Sequence, residues 1–454
     1  MSDDLIQLRK GTYHDSVTLM RISRALTEMP GVEVAMVAMA TELNLAIVRD
    51  LGFEPPPAGP GDLLIAVRGA DPARAVAELD ARLTARAATA AATAATTGAA
   101  TVAGEQPPLT TYSAARTPAD LVLVSVPGEH AFCEARDAVE AGLPVMIFSD
   151  GVPLAQERWL KELAEERGVL VMGPDCGTAS IAGVGLGFAN VLRPGPVGLV
   201  AASGTGAQQV SCLLDWAEAG ISHILGVGGR DLSAEVGGLA TMRALRLLDD
   251  DPATELIVLV GKPPGPGVAE AVREVAAGLR TPVVEAVLPE TDLTEAAGRA
   301  LRALGRGVPG WPSWPGALRG EPRSVRGLYS GGTLCAEAAV LAGPGEFTDF
   351  GDDAYTRGRA HPMIDPTLRL EALSRVRADE VVLMDVVLGH AADPDPAASL
   401  APAVARTPAT VVTALVGSAG DPQDLHRQAA ALREAGAAVF VSNAEAARHA
   451  RSLL

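Results

Sequence analysis

Short aliphatic runs return at intervals along the whole chain, each followed by a stretch of helical periodicity. Val32–Ala40 (VEVAMVAMA), Asp62–Val67 (DLLIAV), Leu121–Val126 (LVLVSV), Pro144–Phe148 (PVMIF) and Val169–Met172 (VLVM) read as buried parallel strands. Helix-like segments such as Ala131–Ala141 and Leu154–Arg167 lie between them. A second series runs through Val197–Ala201 (VGLVA), Ile224–Val227, Leu256–Val260 (LIVLV) and Pro282–Val287. A third begins at Gly327 and includes Val381–Val387, Ala409–Leu415 and Ala438–Val441. This alternation predicts α/β architecture with doubly wound domains.

Two stretches interrupt the pattern. Residues 81–103 are nearly all Ala and Thr and carry no amphipathic stripe, so a poorly ordered insertion is expected there, with a surface helix frayed at one end as the alternative. Residues 306–326 (RGVPGWPSWPGALRGEPRSVR) are rich in Pro, Gly and Trp without periodicity, the pattern of an interdomain linker. With 454 residues the length suits two to four domains. Hydrophobic residues make up 48% and aromatics only 3%, so the cores are built from Ala, Val and Leu.

A net charge of -18 repels nucleic acid and anionic lipid, so neither is an expected partner, and an anionic substrate needs local positive potential. Cys133, Cys176, Cys212 and Cys335 are widely spaced, with no CxxC pair and no histidine cluster beside them. No zinc site or disulfide framework is legible, and no metal is expected. No apolar run is long enough to span a membrane and the N-terminus is charged, so a cytoplasmic protein is expected.

Specific resemblances begin at Val126. VPGEHAFCEARDAVEAGLPVMIFSDGVP and GVLVMGPDCGT resemble the CoA-binding domain of the succinyl-CoA synthetase α subunit. GPVGLVAASGTGAQQV and GVGGRDL resemble that subunit's ligase domain. YSGGTLCAEA, DFGDDAYTRGRAHPMIDPT and DVVLGHAADPDPA resemble the C-terminal domain of the β subunit, without the ATP-grasp domain that normally precedes it. The fused order is similar to that of the FdrA family. The resemblance implies three doubly wound domains: a Rossmann-like CoA-binding-type domain over 1–194, with the insertion 81–103, and flavodoxin-like ligase domains over 195–305 and 327–454, joined by the linker 306–326. It further implies a subunit of a hetero-oligomeric oxamate carbamoyltransferase, interconverting oxalurate plus phosphate with oxamate plus carbamoyl phosphate. The alternatives are an acyl-CoA synthetase subunit served by a separate nucleotide-binding chain, and an anion-binding regulatory subunit.

Two Gly-rich helix starts carry the expected chemistry. Ser203, Gly204, Thr205 and Gly206 (SGTG) follow a strand and open a helix-like segment. Free N–H groups and the positive dipole end suit phosphate there, although the same residues serve equally as an ordinary cap and tight turn. Gly331, Gly332 and Thr333 (SGGT) repeat the design in the last domain. In succinyl-CoA synthetase two such starts face a shared phosphoryl site. Gly229 and Arg230 sit at a strand end, where Arg230 would clamp a carboxylate or phosphate, or pair structurally with Asp231 or Glu235. Arg359 and His361 follow a Gly- and Asp-rich loop and suit anion binding with proton transfer, with Asp352 and Asp353 placed to orient the histidine or bind a cation. Cys176 is the one cysteine in a motif that could line a site.

Two absences shape the expectation. The segment after Pro282–Val287 lacks the histidine through which succinyl-CoA synthetase relays phosphate; none of the seven histidines falls between residues 224 and 360. The counterpart of the Gly-rich CoA loop, RKGTYHDSVTLM, has a single glycine, Gly11, which weighs against CoA and leaves it an open ligand. Phosphate or carbamoyl phosphate is the expected substrate, no cofactor is fixed by the sequence, and partner subunits are expected to complete the site.

Overall fold

The computed structural model describes residues 3–12, 14–97, 110–356 and 359–454. They form two compact units. The first takes in the chain as far as Ser113 with Arg359 and Ala360; the second takes in Ala114–Thr356 and His361–Leu454. The architecture is α/β with several parallel-rich sheets.

The first unit is β1 (Asp3–Arg9), α1 (Ser16–Thr27), β2 (Val32–Met39), α2 (Glu42–Asp50), β3 (Leu63–Gly69) and α3 (Pro72–Thr97). Its strands stand in the order β1-β3-β2 and pair antiparallel throughout. Alternate residues of β3 meet different helices. Leu63, Ile65 and Val67 share a core with Leu19 and Leu26 of α1 and Leu79 of α3. Leu64 and Ala66 share one with Leu45 and Val48 of α2. Cover on both faces makes β3 a continuous apolar run, the pattern that reads as parallel strand in sequence. The expectation of buried parallel strands at Val32–Ala40 and Asp62–Val67 is therefore corrected. So is the single Rossmann-like domain over 1–194, since this antiparallel sheet is separate from the parallel one that follows. In the RKGTYHDSVTLM stretch, Gly11 turns at φ +62° and Asp15 caps α1 by accepting from Thr18 N at 2.9 Å.

Of the two readings of this stretch, α3 agrees with the helix over its described part, since it continues to Thr97, and departs from the favoured insertion. Alanine is the strongest intrinsic helix former, so a helix can form here without an amphipathic stripe. The remainder of that stretch, 98–103, lies outside the described residues.

After α4 (Thr111–Ala114) the second unit begins with a parallel sheet, β4-β5-β6, built from β4 (Val122–Val124), α5 (Gly128–Glu140), β5 (Val145–Ile147), α6 (Leu154–Arg167) and β6 (Val171–Met172). The next sheet holds β7 (Thr178–Ile181), β8 (Val184–Gly187), β9 (Pro194–Ala201), β10 (Ile221–Gly226), β11 (Leu256–Gly261) and β12 (Val283–Val287) in the order β12-β11-β9-β10-β7-β8. β9 to β12 are parallel, and β7 and β8 extend the edge antiparallel. Its helices are α7 (Gly204–Trp216), α8 (Leu239–Asp250), α9 (Val268–Ala277) and α10 (Leu293–Ala303).

The last sheet has the order β13-β18-β17-β16-β14-β15. It comprises β13 (Ser313–Trp314), β14 (Ser324–Tyr329), β15 (Gly345–Asp349), β16 (Glu380–Val387), β17 (Thr410–Val416) and β18 (Ala438–Phe440). All are parallel except β13. Its helices are α11 (Gly332–Ala342), α12 (Asp353–Thr356), α13 (Thr367–Leu373), α14 (Pro396–Arg406), α15 (Leu425–Glu434) and α16 (Asn443–Ser452). The 306–326 segment is anchored to this sheet. β13 adds to its edge, and the Arg319 guanidinium donates to the carbonyls of Val404, Thr407 and Ala435.

α7 is wedged between these last two sheets, with every residue from Gly206 to Asp215 buried. Buried polar groups need partners, and here the partners come from the other sheet. Gln209 Nε2 donates to Val441 O at 3.0 Å while its Oε1 accepts from Asn443 N at 2.9 Å. Asn190 Nδ2 donates to Asp421 at 2.7 Å and to Leu388 O at 3.0 Å. These bonds fix the register in which the C-terminal ends of β9 and β14 meet. Gln209→Leu strands two buried backbone groups, each costing about 1–3 kcal/mol. It should lower the denaturant midpoint of the second unit, and an unchanged midpoint contradicts this role.

Candidate functional site

The two Gly-rich helix starts meet directly. Ser203 caps α7 by accepting from Gly206 N at 3.0 Å, and its own hydroxyl donates to Thr333 Oγ1 at 2.6 Å. Gly331 lies against Thr205: a Cβ at Gly331 would stand 2.6 Å from Thr205 Oγ1 and 2.7 Å from its methyl. Gly332 is equally constrained, since a Cβ there would stand 2.6 Å from Asp349 Oδ2. The glycines of SGGT thus admit neighbouring side chains. Gly204 has Thr178 Oγ1 at 3.1 Å from its Cβ position, and Gly206 has its own cap hydroxyl at 2.9 Å. α11 differs from α7 in having no side-chain cap, because Gly331 occupies its N-cap. An uncapped start exposes first-turn N–H donors and the positive dipole end to an anion.

Around this junction lie groups on strand ends: Asp349 opens the DFGDD motif and Asp385 the DVVLGH motif, while Lys262 lies in no motif quoted above. Asp349 closes β15, and its Oδ1 accepts from Gly351 N at 2.9 Å. Its carboxyl is pushed up to about 6, first by burial, then by Asp385 and Asp352, against the pull of the Gly351 N–H and of Lys262. Lys262 directly follows β11 and is exposed. Asp385 on β16 is fully buried, accepts from Ser330 N and Oγ at 2.8 and 2.9 Å, and pairs with Arg369 at 3.0 Å. Burial raises its carboxyl above the usual range against the pull of Arg369 and Ser330. Asp349 lies in a quoted motif without being singled out there, and Lys262 is legible only as the residue after the LIVLVG run, a signal available at any α/β strand end.

His361 reaches the same place. Its Nε2 and Asp349 Oδ1 lie 3.0 and 3.1 Å from the position a Cβ would take on Gly351. The ring packs on Phe188 with centroids 5.5 Å apart, and Nδ1 accepts from Met363 N at 3.3 Å. Asp352 instead accepts from Ala354 N, so these contacts replace the expected orientation by Asp352 and Asp353. Burial and then Arg369 lower the His361 pKa to about 4. The expectation of an acid–base group near its ordinary range is corrected: His361 is neutral at pH 6–8. With Nδ1 accepting, its proton sits on Nε2, on the side of Gly351 and Asp349.

Other expected residues lie elsewhere. Arg230 donates to Val152 O at 2.8 Å and pairs with Glu157 at 2.8 Å. Glu157 is itself buried with Lys161 and Asp231. Arg230 is therefore structural, with Glu157 in place of the expected Asp231 or Glu235. Gly229 beside it is exposed. Arg359 is exposed and belongs to the first unit. Cys176 is 2% exposed and burial pushes its thiol up to about 12, which removes it as a nucleophile. Among the described residues, no group of three or more His, Cys, Asp or Glu is placed to hold a metal ion, and no helix is long and apolar enough to cross a membrane.

Residues 328–453, which hold the second of the paired helix starts, match the CoA-ligase domain family. The chain belongs to the family of the Escherichia coli (strain K12) protein YahF, with which it shares 35% identity over 99% of this chain and 98% of that one. Residues 1–101 match the family described as AllF, heavy metal-associated domain; that segment contains no cysteine. The succinate–CoA ligase [ADP-forming] subunit alpha 2 of Archaeoglobus fulgidus is 31% identical over 35% of this chain and 56% of its own length. The malate–CoA ligase subunit alpha of Methylorubrum extorquens is 28% identical over 33% of this chain and 51% of its own. The chain thus spans about half the length of these two ligase subunits.

Two results test the geometry. His361 should give the neutral Nε2–H tautomer in side-chain nitrogen NMR from pH 6 to 8; an imidazolium signal growing in below pH 7 contradicts it. Gly331→Ala should destabilise the second unit by about 1–3 kcal/mol through overpacking, with the loss largely restored by adding Thr205→Gly. Equal loss in the double variant shows that Thr205 is not the obstacle.

Proposed function

We propose that the chain is a subunit of a carbamoyltransferase-type complex in which phosphate and a ureido acid resembling oxalurate are interconverted with carbamoyl phosphate and an amide acid resembling oxamate. The observation that carries this reading is the uncapped start of α11 abutting α7 through the Ser203–Thr333 hydrogen bond. Phosphate would take its donors from the first turn of α11 and the hydroxyl of Thr333, with Lys262 supplying positive charge in a chain of net charge -18. As phosphate attacks the ureido carbonyl, charge develops on the tetrahedral oxyanion, and oriented donors of this kind are worth roughly 3–4 kcal/mol each in the transition state. The neutral His361 Nε2–H is suited to donate a hydrogen bond rather than a proton. No phosphohistidine stage is required, in keeping with the histidine-free segment from 224 to 360. Cytoplasmic partner subunits would complete the substrate side, as the likeness to the FdrA family implies.

The test is turnover by the complex purified with its own partner subunits, supplied in parallel with carbamoyl phosphate and with CoA plus nucleotide. Carbamoyl transfer should dominate, and Thr333→Val should reduce it about 10²–10³-fold, the scale of a lost oxyanion donor, with assembly intact. CoA thioester formation without carbamoyl transfer would replace this reading with the ligase.

A further inference from the structure

Asp349 is the carboxylate that lies against the start of α11. One oxygen lies over Gly332, the first residue of α11, and the other faces Gly351 beside His361 Nε2. An ionised carboxylate at that place opposes a phosphate drawn to the same helix start. A protonated one is a donor. Every charged neighbour bears on which form is present: Asp385 on β16 and Asp352 beyond β15 favour the proton, and Lys262 beyond β11 and the Gly351 N–H oppose it. The buried thiol of Cys335 on α11 is also near, and it stays protonated, its own pKa pushed up to about 12 by burial and by Asp349 and Asp385. His361, neutral with Nδ1 committed to Met363, has no lone pair at Nε2 with which to take a proton.

We propose that Asp349, rather than His361, is the proton carrier of this site: it takes up a proton as a tetrahedral anion docks at the start of α11 and passes it to the departing nitrogen. The role rests on the carbamoyl-transfer reading. A phosphate oxygen forms a bond to the ureido carbonyl carbon, and the bond from that carbon to the amide nitrogen breaks. The nitrogen takes the proton of Asp349, and hydrogen phosphate returns its own proton to Asp349. In the reverse direction the ionised carboxylate removes a proton from the attacking amide. A carboxyl pushed up to about 6 exchanges protons readily near neutral pH, which is where a general acid–base group is most effective.

The experiment is calorimetric binding of sulfate, a tetrahedral dianion that does not titrate near neutrality, to the full chain at pH 7. It is run in two buffers of different ionisation enthalpy, so that proton uptake is read directly. The wild-type chain should take up close to one proton per sulfate, His361→Asn should do the same, and Asp349→Asn should bind with uptake near zero. Asp349→Glu, which keeps a carboxyl, should restore uptake with a displaced pH midpoint and guards against a folding defect in the Asn variant. Undiminished uptake in Asp349→Asn, or uptake lost in His361→Asn, overturns the assignment and leaves the anion site standing. If neither sulfate nor inorganic phosphate binds the wild-type chain, the carbamoyl-transfer site falls and this role falls with it.

Discussion

The second unit is organised around one short hydrogen bond, from the Ser203 hydroxyl to Thr333 Oγ1 at 2.6 Å, which ties the first turn of one helix to the first turn of another. Two positive dipole ends face each other there, an arrangement that is electrostatically unfavourable unless something negative lies close. The protein supplies part of that charge itself, with Asp385 beneath Ser330 and Asp349 beside Gly332. The remainder of the fold holds this junction in register. α7 is buried along its length, and Gln209 and Asn190 bond across the sheets. Gly331 and Gly332 are small so that Thr205 and Asp349 can approach.

The chemistry follows from how charge is kept adjustable in so acidic a chain. Arg369 is spent on Asp385, and Arg230 on Glu157. His361 is held neutral by burial. What stays variable is the Asp349 proton, balanced between neighbouring carboxylates and Lys262. On the proposed reading, an anion entering the junction would meet donors fixed by the backbone and one carboxyl able to surrender its charge. That combination suits a site that must both hold phosphate and release an acyl phosphate.

The parallel sheets were legible because a strand covered on both faces by helices leaves an unbroken aliphatic run. The same cue misled at β3, whose two faces are covered by α2 and by α1 with α3, so that an antiparallel strand carries the same signature. SGTG and SGGT were legible as helix starts, since Gly and Ser at a strand-to-helix turn have few other uses. Their mutual contact was not, because it depends on sheet-to-sheet bonds between residues distant in sequence. Arg230 shows the same limit: its partner Glu157 lies on α6, and local spacing pointed to Asp231 or Glu235 instead. Asp349 opens the DFGDD motif, but nothing local singles it out, because its raised pKa arises from burial and from Asp385 on another strand.

The most direct test of the central claim is a crystal structure of the full chain grown in high phosphate. The account predicts a tetrahedral anion at the first turn of α11, within hydrogen-bond reach of the Gly332 and Thr333 N–H groups, with Lys262 turned toward it. Clear density with that turn capped by protein groups and phosphate bound only elsewhere on the second unit would contradict it.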